Sequence, residues 1–282
     1  MQATEQVVDR AVSRAATLAA ASSASVSAPG TATVFGDRPG GSVTAGGQTV
    51  SLRLQATGNS GDRAVKAGTH TFGSVAPDTD SAVRVSKGAV QVLAVMRTNR
   101  AANEQRYALE LPAGATVHPS NGGFVIVSAD GKAGGTIAAP WAIDANGKVL
   151  RTAYTLEGNT LVQRTDFTGA TFPVVADPKL TYGLGVYLNM WGSELRSFAI
   201  SAVYVLGTGI AVSCTLISYL PHPILRTIAT LACSAGAVNL PKVFQTAAAI
   251  YNSNGINNSS CYQMKIIPTS GGWNSVGYSN CS

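Results

Sequence analysis

"WAIDANGKVLRTAYTLEGNTLVQRTDFTGATFPVVADP" occupies Trp141–Pro178 and sets the fold class. Two dipeptides punctuate it, Asn146-Gly147 and Gly158-Asn159. Both suit two-residue hairpin turns, which need residues at ease with positive φ. Between them apolar and polar side chains alternate, the period of a half-buried strand. The pattern predicts a meander of three or four antiparallel strands from Trp141 to Val175. Pro178 is then expected to close the domain, because its fixed φ and missing N–H keep it out of a central ladder.

The same period extends upstream. "TVSLRLQA" puts Val50, Leu52 and Leu54 on one face, and "AVQVLAVMR" alternates Val90, Val92, Ala94 and Met96. "RYALELPAG" adds Tyr107, Leu109 and Leu111, and "GFVIVSADGKAGG" is a strand followed by a turn. Gly, Asp, Asn and Pro interrupt these runs roughly every ten residues, and no helical period competes. Residues 31–178 are therefore expected to form an antiparallel all-β domain, a sandwich or a meander. Residues 1–30 stand apart as an Ala/Ser-rich segment. Arg10 and Arg14 precede "AATLAAASSASVSA", which ends in the cleavage-like Val26-Ser27-Ala28, while Glu5 and Asp9 do not suit a basic flank. Two readings stay open for it: a signal-like leader, or a short amphipathic or disordered stretch.

Beyond Pro178 the composition changes. Residues 1–178 hold 15 Lys and Arg and 13 Asp and Glu, whereas residues 179–282 hold five basic side chains and one acid, Glu194. From Arg196 to Arg226 no Lys, Arg, Asp or Glu intervenes. Such a length meets the usual criterion for a membrane-spanning helix. Pro221-His222-Pro223 breaks the run, and "ILRTIATLACSAGAVNL" follows as a second apolar helix. "KVFQTAAAIYN", behind Pro241, is a candidate third. Small residues recur four apart on both arms: Gly207 and Ala211, Gly209 and Ser213, Ala229, Cys233 and Ala237. Residues so spaced share a helix face, and small ones let two backbones approach closely.

All four cysteines lie in this segment, Cys214, Cys233, Cys261 and Cys281. An even number in a short stretch reads as two disulfides and an oxidising compartment. Four cysteines allow three connectivities. Cys214–Cys233 fits a helical hairpin, and Cys261–Cys281 brackets "YQMKIIPTSGGWNSVGYSN", expected to be a β-hairpin turned at Ser270-Gly271-Gly272. The predicted fold is thus α+β: a β domain over 31–178, then a disulfide-stapled α-hairpin with a β-hairpin over 179–282. Two environments suit the apolar hairpin. It is buried in a globular module, or it touches lipid with Trp191, Tyr204 and Tyr219 as interfacial anchors.

"APWAIDANGKVL" together with "TLEGNTLVQRTDFTGATFPVVADP" resembles a segment of many secreted bacterial proteins. In these a β-rich region ends in Tyr-Pro-Val-Val-Ala-Asp-Pro and a variable C-terminal module follows. Phe172 stands here in place of the tyrosine, while Pro173 to Pro178 match. The resemblance covers about 40 residues closely and implies secretion and architecture, not an activity.

No catalytic motif stands out. His70, His118 and His222 lie in three separate contexts, and no zinc-protease, nucleophile-elbow or phosphate-loop signature occurs. Asp78 and Asp80, and Asp144 and Asn146, mimic the start of a calcium loop but lack its closing glutamate, and read as turns. Trp273 and Tyr278 suit either a sugar-stacking face or the cap of a small core. Net charge is +6 without a basic stripe, which argues against nucleic acid. No catalytic residue, metal ligand or cofactor is predicted. The expected role is non-enzymatic, an extracellular or cell-envelope interaction module whose partner is the envelope or a membrane surface. The second expectation is a membrane-active effector carried by the β domain.

Overall fold

The computed structural model describes residues 4–16, 24–26, 30–58, 63–66, 68–120, 122–209, 212, 238–278 and 281. The chain divides into two compact units. The first comprises Met1–Ala19, Pro29–Ala113 and Ile137–Tyr182; the second Ala20–Ala28, Gly114–Thr136 and Gly183–Ser282. This division is not the linear one expected at residue 178, since residues 114–136 belong to the second unit and the chain leaves the first after Tyr182.

The first unit is built from antiparallel sheets. One runs β14 (Thr152–Glu157), β15 (Thr160–Thr165), β9 (Glu104–Glu110), β4 (Gln48–Leu54), β3 (Gly40–Ala45) and β2 (Thr31–Val34) in that order. The other runs β17 (Lys179–Gly183), β8 (Ala89–Met96), β7 (Thr79–Ser86), β6 (Thr69–Ala76) and β5 (Arg63–Lys66). Strands β2, β3 and β4 pack across β7 and β8. The predicted inward face is present: Val50, Leu52 and Leu54 on β4, and Tyr107 and Leu109 on β9, are all buried.

β8 departs from simple alternation. Val90 and every residue from Val92 to Met96 are buried, so both faces of this strand are covered. Part of the cover is the helix α1 (Thr4–Ala16), in the segment expected to be signal-like or disordered. Val7, Val8 and Ala11 of α1 pack with Ala82, Leu93, Val95, Ile143 and Val175. The spacing of those three puts them on one helical stripe.

The meander predicted over Trp141–Val175 is split between the sheets. Gly158-Asn159 turns the β14–β15 hairpin as expected, paired from Thr152↔Thr165 to Glu157↔Thr160. Asn146-Gly147 closes a much shorter hairpin: the isolated bridge Ile143↔Val149 is flanked by Asp144 N–H donating to the Lys148 carbonyl at 3.0 Å and Leu150 N–H to the Ala142 carbonyl at 2.9 Å. The Asp144 side chain braces the turn. Its Oδ1 accepts from the Asn146 and Lys148 N–H groups at 2.9 Å each, and its Oδ2 from Thr171 N–H at 2.9 Å. The carboxylate holds the loop as a turn, and β13 (Ala142–Ile143) also pairs with β16 (Val174–Ala176) on its other edge.

Pro178 does not end the domain either. β16 pairs Val174↔Met96 to Ala176↔Ala94, and β17 pairs Lys179↔Gln91 to Thr181↔Ala89. The two strands share one register along β8, with Asp177-Pro178 between them. The ladder tolerates the proline because Pro178 still accepts from Val92 N–H, at 3.0 Å.

The second unit holds a sheet ordered β1 (Ala24–Val26), β18 (Val186–Trp191), β19 (Cys261–Ile267) and β20 (Thr269–Val276). It also holds β10 (Thr116–Ser120), β11 (Gly123–Val127) and β12 (Gly134–Ile137), in that order. Among the described residues it has the helices α2 (Gly192–Gly207) and α3 (Leu240–Asn252), packed against each other. Glu194 Oε2 accepts from Trp191 N–H at 2.9 Å at the start of α2, and Asn239 Oδ1 caps α3 through Lys242 N–H at 3.0 Å. Gly192 is obligatory: a Cβ there would lie 1.8 Å from the Asn257 carbonyl oxygen.

α2 buries Leu195, Phe198, Ala199 and Ala202, and Phe198 stands edge-on to Phe244 of α3 at 5.4 Å. α2 ends at Gly207, ahead of the break expected at Pro221-His222-Pro223, and most of the residues between lie outside the described ones. Gly209 adopts φ +69°, which an L side chain resists and glycine does not. The second arm and the Cys214–Cys233 pairing lie outside the described residues. The β19–β20 hairpin is present but turns at Pro268. Ser270 pairs with Lys265, and Gly271-Gly272-Trp273 form an irregularity opposite Met264, where the register shifts.

Phe244→Ala is expected to lower the unfolding free energy by about 3–5 kcal/mol. Ile200→Ala, on the open side of α2, should change it by less than about 0.5 kcal/mol. Urea unfolding followed by tryptophan fluorescence checks both.

Candidate functional site

The first candidate lies at the Asp-Pro junction. Five residues in a row from Val174 to Pro178 are buried, and one of them is an acid. Asp177 is 1% exposed. Its Oδ2 accepts from Gln91 Nε2 at 2.8 Å and its Oδ1 from Trp141 N–H at 3.4 Å. Its own main-chain carbonyl accepts the hydroxyl of Tyr154 on β14. Around this point the interior is polar. Gln163, fully buried on β15, donates Nε2 to the Trp141 carbonyl and to Thr152 Oγ1, both at 3.2 Å. The Tyr107 hydroxyl of β9 is buried without a hydrogen-bond partner.

Burial dominates the electrostatics here. It raises the Asp177 carboxyl to about pKa 7, against the hydrogen bonds from Gln91 and Trp141 and the charge of Lys179, which pull it down. Burial also pushes the Tyr107 and Tyr154 hydroxyls well above their ordinary value, with the Asp177 charge adding to the effect. The arrangement keeps a carboxylic acid largely protonated in mildly acidic solution, beside a polarised peptide carbonyl.

A second feature of the first unit is a cleft of about 430 Å³ between α1 and the Asp144–Gly147 loop, with Arg10 and Arg14 at its edge. Its one carboxylate, Asp144, is taken up by three backbone N–H groups and is held below the usual range by them despite burial. The cleft therefore offers a basic rim and no acid–base pair.

In the second unit Cys261 and Cys281 form a disulfide with Cα atoms 5.8 Å apart, both sulfurs in buried residues. Cys214 and Cys233 lie outside the described residues. Of the anticipated interfacial aromatics, Tyr204 is 74% exposed in the last turn of α2. Trp191 is half-buried ahead of the first turn and stacks on Tyr278, with ring centroids 6.0 Å apart. At 1.5 Å per residue the two lie roughly 20 Å apart along the helix, so they do not form one cluster. Tyr219 lies outside the described residues. Trp273 is buried edge-on against Phe198 at 6.2 Å, and so packs the core, while Tyr278 stays exposed.

His118 is buried, its Nε2 2.9 Å from Thr116 Oγ1, and burial lowers its pKa. His222 lies outside the described residues. Among the described residues no group of three His, Cys, Asp or Glu side chains converges on a metal-sized site. The junction motif Pro173–Pro178 was marked by resemblance alone. The physical signal that singles out Asp177 is an acid inside an otherwise apolar run.

No protein-family model matches the chain, and no curated protein matches it.

The raised pKa of Asp177 has a stability consequence. Between the unfolded value of about 3.9 and the folded value of about 7, the folded chain binds a proton that the unfolded chain releases. Stability from this group is complete below the lower value and is lost as pH rises through the upper one. Asp177→Asn carries no such titration, and Gln91 can turn its amide to meet it. Relative to the variant, the parent should lose on the order of 4 kcal/mol between about pH 4 and pH 8. Urea unfolding at both pH values measures the difference.

Proposed function

We propose that the chain is a secreted or cell-surface protein in which the β-sheet unit carries a second, disulfide-closed unit that engages the cell envelope, without turnover of an external substrate. The Cys261–Cys281 bond carries this reading, because such bonds persist where the compartment is oxidising. The charge-poor composition of residues 179–282 and the resemblance of Pro173–Pro178 to junctions in secreted bacterial proteins support it. Positive net charge favours approach to an anionic surface.

One observation favours a second reading, a membrane-active effector. Ile200 and Tyr204 lie one helical turn apart on the open side of α2, 50% and 74% exposed. They sit at the head of the uncharged run that reaches Arg226. Among the described residues no helix is long and apolar enough to cross a membrane. Contact by this route would be interfacial rather than spanning.

Thiol labelling of cells making the full chain, without reductant, should leave Cys261 and Cys281 unmodified. Labelling of both would overturn the extracytoplasmic assignment. The purified protein should co-sediment with isolated cell envelopes and leave dye-loaded anionic vesicles intact. Dye release that Tyr204→Ala weakens by about tenfold or more would replace the first reading by the second.

A further inference from the structure

We propose that the Asp177–Pro178 peptide bond is a self-cleaving bond, cut by the Asp177 side chain with Tyr154 stabilising the oxygen on which charge develops. The proposal does not depend on where the protein is located.

Three features of the geometry converge on one peptide carbonyl. Asp177 carries a carboxyl group, and an aspartyl side chain reaches its own main-chain carbonyl carbon through a five-membered ring. The Tyr154 hydroxyl donates to that same carbonyl oxygen, and so withdraws electron density from the carbon to be attacked. Preorganised donors aimed at a developing oxyanion are worth most in a water-poor site, and this one is almost closed to solvent. The leaving group is a proline nitrogen. It is a tertiary amide, more basic than an ordinary peptide nitrogen, and it donates no ladder hydrogen bond that cleavage would break.

The step balances without a redox partner. A carboxyl oxygen of Asp177 bonds to the Asp177 carbonyl carbon, and negative charge gathers on the oxygen facing Tyr154. The carboxyl proton passes to the Pro178 nitrogen, and the carbon–nitrogen bond breaks. A cyclic anhydride remains at residue 177. One water molecule opens it, leaving a C-terminal aspartic acid and a new N-terminal proline.

The surroundings set the protonation the step needs. The groups facing Asp177 are the Gln91 amide from β8, the Tyr107 hydroxyl from β9, the Tyr154 hydroxyl from β14, the Trp141 N–H ahead of β13 and the Lys179 charge on β17. Burial outweighs the ions among them, so the acid keeps its proton up to about pH 7. Cleavage should therefore proceed in mildly acidic and neutral solution and slow above that range. The folded chain also holds both product ends. β16 and β17 remain hydrogen-bonded to β8 on either side of the cut, so the fragments should stay together until unfolded. All four cysteines lie beyond the bond, so no disulfide joins the fragments once they are denatured.

The full chain is purified at about pH 8, shifted to about pH 5 to 7, and followed by denaturing electrophoresis, intact mass and N-terminal sequencing. The expected products are Met1–Asp177 and Pro178–Ser282, their masses summing to the parent plus one water, co-eluting in gel filtration. The folded chain should cleave at least about tenfold faster than the same chain in urea at the same pH, and Tyr154→Phe should remove most of that advantage while leaving the urea rate unchanged. Asp177→Asn should abolish the reaction. Because that variant could fail to fold, the comparison of folded with unfolded chain decides. A folded chain that cleaves no faster than the unfolded one, or a Tyr154→Phe variant that cleaves as fast as the parent, would overturn the proposal.

Discussion

Much of the first unit depends on β8 being buried on both faces. A sheet strand covered on one side alternates; one covered on both sides must be apolar throughout. Ala89–Met96 meets that demand with Gln91 as its single polar residue. Gln91 is also the side chain that reaches Asp177. The cover on β8 comes from distant parts of the sequence: β3 and β4 on one side, α1 on the other, β16 and β17 along its edge. Loss of any of these would expose a strand edge or face that has no polar alternative to offer water.

The polar interior follows from the same arrangement. An acid between two halves of one edge-paired strand has no route to solvent, so it either loses its charge or collects donors. Asp177 does some of each. Two donors meet its oxygens, but they are neutral, one of them at 3.4 Å, and Lys179 helps only at a distance. Desolvation therefore wins. Asp144 shows the opposite outcome in the same unit. Burial acts on it too, yet three backbone N–H groups at 2.9 Å outweigh it and hold its pKa down. Asp144 also lines a cleft while Asp177 is enclosed, so depth of burial and the supply of donors together separate the two carboxyls.

How much of this was legible in the residues can be judged element by element. Val50, Leu52 and Leu54 declared an inward face because they alternate with the polar Thr49, Ser51 and Arg53. The Gly158-Asn159 hairpin was legible because its turn chemistry is local. The Cys261–Cys281 pair was legible because both residues bracket one hairpin. The Asn146-Gly147 hairpin is shorter than the dipeptide suggests because the chain beyond Leu150 crosses into the other sheet at β14, a step set by distant pairing. Pro178 was misread as a terminator because a proline is excluded from a ladder only where its N–H is required, and here the acceptor side alone is used. α1 was hidden by composition, since its alanines and arginines suit a leader as well as an amphipathic helix. Asp177 stood in plain view, but its chemistry depends on Tyr154 and Tyr107, contributed by strands dozens of residues away.

The uncharged run from Ser197 to Leu225 illustrates a further limit of hydropathy. A helix apolar on every side is either surrounded by protein or placed in lipid. α2 buries one side, and its other side mixes polar and apolar residues, with Ser193, Ser197, Ile200 and Tyr204 exposed. Leu195, Phe198, Ala199 and Ala202 face the core around Phe244, while Ile200 and Tyr204 face outward. Gly207, Thr208 and Gly209 then end the helix after 16 residues, with the Thr208 N–H shared between the Tyr204 and Val205 carbonyls. Mean hydropathy along the run cannot see that break, because glycine and threonine scarcely alter it. The uncharged run is thus longer than the helix that begins it, and the 16 residues of α2 fall short of the roughly 20 that a span needs.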